Sequence, residues 1–398
     1  MKIPELLAPA GGMRQLRAAV RFGADAVYVG MKQYGLRAFA GNFEEGEIPK
    51  AFDYLHARGK KGYVTVNIFP RNADFSALGE YLKFLEGRAD GVIVTDPGLV
   101  DFAKKTAPEL SIHLSTQANT LNKYAAKFWA EQGVSRIVLA RELTLAEIAE
   151  IRDALPASCE LEAFVHGAMC ISYSGRCLLS NYLHGRDANR GECVQACRWE
   201  YAVLREAKRP EEPLTLEEDS RGSYILNSKD LKLVHHLSEL ERAGVSSFKI
   251  EGRMKTEYYV GTVVNAYRRV MDGRMTPEEA DFELEKTGHR AFTTAYALGG
   301  NEDTQCLQTS KPEQTCDYAA LVLEKCENGV WIQQRNRFLA EDILEAVSNG
   351  HAHGKSVRAQ IFDEEGNPVE DAKLVCQRLR LMTDLELSEM DMLRKPKG

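Results

Sequence analysis

From its first residues the chain alternates short apolar, β-rich runs with amphipathic helical stretches, and this beat limits the possible folds more than any other feature. The runs at 5–9, 25–30, 62–68, 91–95, 110–114, 135–139 and 161–165 predict strands. Between them, 13–22, 47–58, 75–87, 98–106, 122–132 and 145–154 predict helices, with apolar residues such as Leu16, Ala19 and Val20 at helical spacing. Two later runs, 224–226 and 247–250, bring the strand candidates to nine, so one is expected to lie outside an eight-stranded sheet. Repeated βα units with short connections predict a (β/α)8, TIM-barrel-like α/β domain. An open dinucleotide-binding sheet fits less well, because no G-x-G-x-x-G follows the first strand.

The rhythm breaks over about 166–223, an insertion rich in Cys, Gly, Arg and Asn, with an exposed loop expected at 208–220. Helices are expected again at 256–271 and 277–286, and Gly299-Gly300-Asn301 reads as a linker. Beyond it the period drops to two. Residues 318–326 and 330–334 flank Asn328-Gly329, a strong hairpin signal, and 357–362 with 372–375 around Gly366-Asn367-Pro368 predict a second hairpin. The expected division is therefore a barrel domain over 1–298 and a small β-barrel domain over 299–398. A length of 398 residues accommodates both.

The sequence holds no apolar run long enough to span a bilayer and no apolar signal-peptide core at its start, so a cytoplasmic protein is expected. In a reducing compartment nine cysteines imply thiolate chemistry rather than disulfides. Four of them cluster as C-x6-C-x15-C-x3-C: Cys170, Cys177, Cys193 and Cys197. Four thiolates can hold a 4Fe–4S cluster or close a zinc site. The six-residue first gap departs from the tight pairs of structural zinc and favours iron–sulfur, with zinc as the alternative. The set begins just after a barrel strand, on the face where barrel active sites lie. The remaining cysteines (Cys159, Cys306, Cys316, Cys326 and Cys376) are scattered and read as small buried apolar residues. A cysteine peptidase would need a His-activated thiolate, for which His166 is the nearby candidate.

The net charge of -7 argues against coating nucleic acid by bulk charge, but residues 301–398 alone carry -6, which leaves -1 for the rest. Residues 166–209 and 249–274 each hold a net +3 and follow late strands, so both are candidates to flank one barrel mouth as an RNA groove. The bland reading of the same stretches is a solvated surface. Trp199 and Tyr201, beside Arg198, are candidate stacking residues for an unpaired base.

The segment Glu162-Ala163-Phe164-Val165-His166-Gly167-Ala168-Met169-Cys170, followed by Ser174-Gly175-Arg176-Cys177, resembles the signature of the peptidase U32 family. Glu5 to Gly11, Leu114 to Gln117, Leu139 to Leu143 and Lys249 to Arg253 resemble further blocks of that family. The family name implies a collagenase-like peptidase. The region Gly191 to Tyr201 is more similar to the branch that hydroxylates tRNA wobble uridine to 5-hydroxyuridine. That branch implies a four-cysteine 4Fe–4S cluster, prephenate as cofactor or source compound, tRNA as partner, and an electron-transfer or cluster-assembly partner. A dianion such as prephenate calls for arginine forks, and Arg141, Arg198 and Arg253 are the candidates, with Glu142 and Glu251 able to neutralise them instead. Asn67, Ser115 and Gln117 sit at predicted strand ends and are candidate pocket residues, while Glu162, His166 and Glu251 are the candidate acid–base groups. The alternatives are a collagenase-like peptidase and a cluster-carrying partner subunit without turnover of its own.

Overall fold

The apolar runs are buried on both faces, as strands of a parallel sheet covered by helices must be. The computed structural model describes residues 3–35, 41–170, 172–173, 180, 186, 193, 218–219, 222–223, 228–299, 304 and 312–397. Eight parallel strands close a barrel: β1 (Glu5–Ala10), β2 (Ala26–Gly30), β3 (Lys61–Val66), β4 (Gly91–Val94), β5 (Ile112–Leu114), β6 (Arg136–Val138), β7 (Glu160–Ala168) and β8 (Ser247–Ile250). Each pairs with the next, and β8 pairs with both β7 and β1, which completes the ring. The ninth candidate, 224–226, lies outside the described residues. A short strand not expected from the sequence, Asp230–Lys232, branches antiparallel from the far end of β7 and carries Phe292–Thr293 beside it.

The helices begin where side chains can satisfy the first free N–H groups. Asp96 caps Pro97–Thr106 by accepting from the Leu99 amide at 2.9 Å, and proline occupies the first turn. Asn122 caps Lys123–Glu131 in the same way, and Thr144 with Glu147 forms a reciprocal capping box before Leu145–Ala154.

The backbone divides into two compact units. One comprises Met1–Leu16, Asp25–Met254 and His289–Pro312; the other comprises Arg17–Ala24, Lys255–Gly288 and Glu313–Gly398. The division drawn from the sequence at 298/299 does not coincide with these units, because the helices Glu257–Met271 and Pro277–Leu284 group with the C-terminal sheet. The longer helix is buried almost all round, and Tyr258 stacks on Tyr318 with ring centres 5.1 Å apart.

The C-terminal unit contains a seven-stranded sheet in the order Ser356–Arg358, Ile343–Val347, Met392–Pro396, Cys316–Cys326, Gly329–Gln334, Arg378–Met382, Ile361–Phe362. Val357 and Ile361, from its two edge strands, pack on the same core as Val322, Ile332 and Leu393, so the sheet curls around one interior. The hairpin at Asn328-Gly329 forms as expected, with Asn328 at φ +58°. The second hairpin forms only in part: Phe362 bridges Pro368 antiparallel, and the Val369 amide donates to the Ile361 carbonyl at 2.9 Å. The chain does reverse at Asp363, which receives the Asn367 amide on its side chain, but Asp371–Ala372 pairs with Phe338–Leu339 instead of with Ile361–Phe362. Strands of two residues carry too little alternation to fix a partner from sequence.

Candidate active site at the barrel mouth

A cavity of about 120 Å³ opens at the C-terminal ends of the barrel strands. Strand ends and the turns after them contribute its walls: Tyr28 from β2, Thr65 and Asn67 from the end of β3, Ser115 and Gln117 after β5, Arg141 after β6, Phe164 from β7, and Lys249, Glu251 and Arg253 from β8 and beyond. Six of the candidates read from the sequence therefore converge: Asn67, Ser115, Gln117, Arg141, Glu251 and Arg253. The cavity lies below the ~300–1,000 Å³ of drug-sized sites, so it suits a small metabolite.

Its cations are held firmly. Arg253 Nη1 donates to Thr65 Oγ1 at 2.8 Å, and Arg253 is 4% exposed. Arg141 Nη1 donates to the Ala168 carbonyl at 2.7 Å, and its guanidinium lies 4.2 Å from the centre of the Phe164 ring. The Tyr28 hydroxyl donates to the Ile250 carbonyl at 3.0 Å and lies 3.4 Å from Glu251 Oε2. Ser115 begins a single 3-10 turn, Thr116–Ala118, which Asn119 ends in the left-handed region at φ +53°. Thr116 Oγ1 ties that turn to the Leu139 carbonyl at 2.9 Å.

Two glycines permit this closeness. At Gly30 a Cβ would overlap the Arg253 guanidinium, and at Gly167 (φ +107°) it would overlap the Glu251 carbonyl. The blocks Gly167 and Lys249 to Arg253, far apart in sequence, thus meet at the seam where β7 and β8 pair. Gly30→Ala should displace Arg253 and lower the urea unfolding midpoint, while a surface change such as Gly46→Ala meets nothing within 4 Å and should leave the midpoint unchanged.

Beneath the cavity lies a layer of buried charge. Arg136 donates to Glu5 at 2.6 Å, to Glu160 at 2.6 Å and to Glu162 at 3.1 Å. Glu162, fully buried, also accepts from Lys249 Nζ at 2.7 Å and from Ser247 Oγ at 3.1 Å. Burial opposes ionisation of Glu162, but Lys249 and then Arg136 outweigh it and hold the carboxyl down at about 2. Glu162 is therefore a permanently ionised anchor for Lys249, placed below the cavity wall, rather than an acid–base group at the mouth. His166 is also buried and stands outside the wall, its ring 5.6 Å from that of Phe292.

His113, in the same layer, packs on Tyr63 with ring centres 4.6 Å apart. Burial, then the Arg136 charge, pushes its pKa down to about 3. The unfolded chain takes up a proton at His113 near pH 6.5, whereas the folded chain resists until about pH 3. His113 thus withdraws stability as pH falls from 6.5 toward 3, by about 1.4 kcal/mol per pH unit. His113→Phe should flatten the stability profile between pH 6 and 4.5 by that slope, measured by urea unfolding.

Cys170 lies just past β7 and is exposed, as is Cys193. Cys177, Cys197, Arg198, Trp199 and Tyr201 lie outside the described residues, and among the described residues no three His, Cys, Asp or Glu side chains gather as a metal site. Of the scattered cysteines, Cys159 and Cys316 are buried as expected, but Cys376 is exposed, because the turn after Asp371–Ala372 carries it outward. The +3 stretch 249–274 is not a continuous basic groove. Lys249 and Arg253 point into the cavity, while Arg268 pairs with Asp272 and Arg269 donates to the Ser348 and Gly350 carbonyls within the second unit.

Lys249, Tyr28, Thr65 and Phe164 also line the wall, although the sequence does not mark them as wall residues. Two-residue periodicity carried a signal for Lys249: Ser247 and Lys249 share one face of β8, the face turned to Glu162.

Comparison with known proteins places these features in context. A family model described as Peptidase family U32 matches residues 11–306, and one described as Peptidase family U32 C-terminal domain matches 314–394. The chain is 39% identical to tRNA hydroxylation protein P1 of Bacillus subtilis (strain 168), over 100% of this chain and 96% of the relative. It is 40% identical to tRNA hydroxylation protein P of Escherichia coli (strain K12), over 92% and 87%. A protein named Collagenase from Porphyromonas gingivalis (strain ATCC BAA-308 / W83) is 33% identical, over 74% of this chain and 73% of its own. No described helix is long and apolar enough to cross a membrane.

Proposed function

The chain belongs to peptidase family U32, and from that membership and the barrel-mouth cavity we propose that it serves tRNA hydroxylation, converting wobble uridine to 5-hydroxyuridine, with prephenate as the small anionic co-reactant and a 4Fe–4S cluster on Cys170, Cys177, Cys193 and Cys197. The observation that carries this reading is the cavity itself: three cations, Arg141, Arg253 and Lys249, face a single wall carboxylate, Glu251, in a space suited to a small anion. Likeness to two tRNA hydroxylation proteins along nearly the whole chain supports the substrate class.

In this reading the guanidiniums of Arg141 and Arg253 bind and orient carboxylates of the anion. Each already gives one nitrogen to a protein oxygen, which fixes the plane of the fork before the ligand arrives. Phe164 and Tyr28 cover the non-polar part of the ligand and exclude water. Glu251, beside the Tyr28 hydroxyl, holds or moves a proton at its Oε2. The exposed thiols of Cys170 and Cys193 suit cluster ligation, since their replacement would not open the core. A bound cluster supplies the electron transfer that side chains lack. An electron donor or cluster-assembly protein is the partner this requires.

The test is complementation with cavity variants. Arg141→Gln and Arg253→Gln should each fail to restore 5-hydroxyuridine in cells lacking the chain, although the proteins fold. Full restoration by both would overturn the assignment of the cavity. A collagenase-like peptidase is the second reading, favoured by the Porphyromonas gingivalis relative. The described cavity wall presents neither thiol nor imidazole for a nucleophile–base pair. Cleavage of denatured collagen by protease-free protein, lost on Cys170→Ala, would decide for it.

A further inference from the structure

We propose that Lys249 is a covalent site of the barrel mouth, at which its Nζ condenses with the carbonyl of a small 2-oxo acid to form an imine. This deepens the assignment of the cavity to a small anion and rests on that reading, but not on the tRNA substrate or the cluster.

Lys249 is the one lysine among the described residues in the buried class, at 4% exposure, and it lines the cavity. Burying a charged lysine is costly, and structural burial is usually met by moving the head group to solvent. Here the head group turns inward instead, over the Tyr28 ring at 4.5 Å and toward the Phe164 ring at 5.5 Å.

Its ion-pair partner is shared with other donors. Glu162 receives Nζ at 2.7 Å, but it also receives Arg136 at 3.1 Å and Ser247 at 3.1 Å. When Nζ gives up its proton, Glu162 remains compensated by Arg136, so deprotonation does not leave an isolated buried carboxylate. Glu162 thus positions Nζ and keeps a cationic partner in Arg136 when the amine is neutral. Arg141 and Arg253 provide the carboxylate-binding forks, which leaves a carbonyl next to that carboxylate for Nζ to reach.

The step balances without any oxidant or reductant. The ammonium of Lys249 passes one proton to Glu251, the wall carboxylate. The free amine attacks the carbonyl carbon, a C–N bond forms, and the nitrogen's second proton moves to the oxygen. Glu251 returns its proton to that hydroxyl, the C–O bond breaks, and one water leaves. The product is a protonated imine, an electron sink adjacent to the carboxylate.

The experiment is reductive trapping on the full chain. Protein is incubated with pyruvate, and separately with 2-oxoglutarate, in the presence of cyanoborohydride, and its peptides are mapped by mass spectrometry. The expected result is an adduct on Lys249, equal in mass to the oxo acid plus two hydrogens less one water, at least tenfold above any other lysine. Succinate, which has carboxylates and no carbonyl, should suppress it by competition. Lys249→Arg keeps the cation beside Glu162, should retain the wild-type unfolding midpoint, and should lose the selective adduct. Labelling spread evenly over surface lysines, or no adduct on Lys249 with either acid, overturns the proposal. Trapping at Lys249 in a protein that leaves tRNA unmodified would uphold the covalent site while removing the tRNA reading.

Discussion

Serine at Cys170 or Cys193 is expected to abolish 5-hydroxyuridine formation and leave the barrel folded. Both residues are exposed, so removing either sulfur opens no core cavity, and surface changes of this kind usually stay within about 0.5 kcal/mol. A four-thiolate cluster that loses one ligand loses both its stability and its potential. The two effects therefore separate cleanly. Urea midpoints of the variants should match wild type, while iron content and tRNA hydroxylation fall to background. Wild-type 5-hydroxyuridine from either serine variant would remove the cluster from the account. Replacing Cys376, exposed but outside the four-cysteine set, should change neither readout.

The largest loss of stability is expected for Glu162→Gln. This side chain is fully buried and receives Arg136, Lys249 and Ser247 at once. Removing one member of such a network strands the opposite charges away from water, at a cost of about 3–5 kcal/mol. Urea unfolding of the barrel transition should record that loss, and a cost below ~1 kcal/mol would contradict the ion-pair layer as drawn. The wild-type residue also sets an acid limit. Its folded pKa of about 2 lies below the ordinary carboxylate value of 4.5, so its contribution is fully present above pH 4.5 and is lost as pH falls through about 2. The variant should lack that part of the acid profile. Lys249→Met in the Glu162→Gln background should recover part of the loss, because it removes one of the stranded charges.

The barrel is legible because its strands are continuous apolar runs and its helices carry period-3.6 spacing, as at Leu16, Ala19 and Val20. Eight of the nine predicted runs close the ring. The strand Asp230–Lys232 escapes because two of its three residues are charged and it sits in no apolar run, and the helix Leu237–Arg242 because six residues are under two turns. In the site, residues at strand ends could be placed by position alone, as Asn67, Ser115, Gln117, Arg141, Glu251 and Arg253 were. The charged layer could not. Arg136 joins Glu5, 131 positions earlier, only because β6 and β1 sit across the same barrel interior, and a linear pattern contains no trace of that. For the same reason the sequence offers Glu162 as an acid–base candidate, whereas its neighbours make it an anchor.

The proposed tRNA hydroxylation is tested most directly by nucleoside mass spectrometry of tRNA from cells lacking this chain and every parallel route to the same modification, with and without the wild-type gene restored. 5-Hydroxyuridine should be absent without the chain, return with it, and not return with Cys170→Ser. Equal 5-hydroxyuridine in the presence and absence of the chain would contradict the proposed hydroxylation.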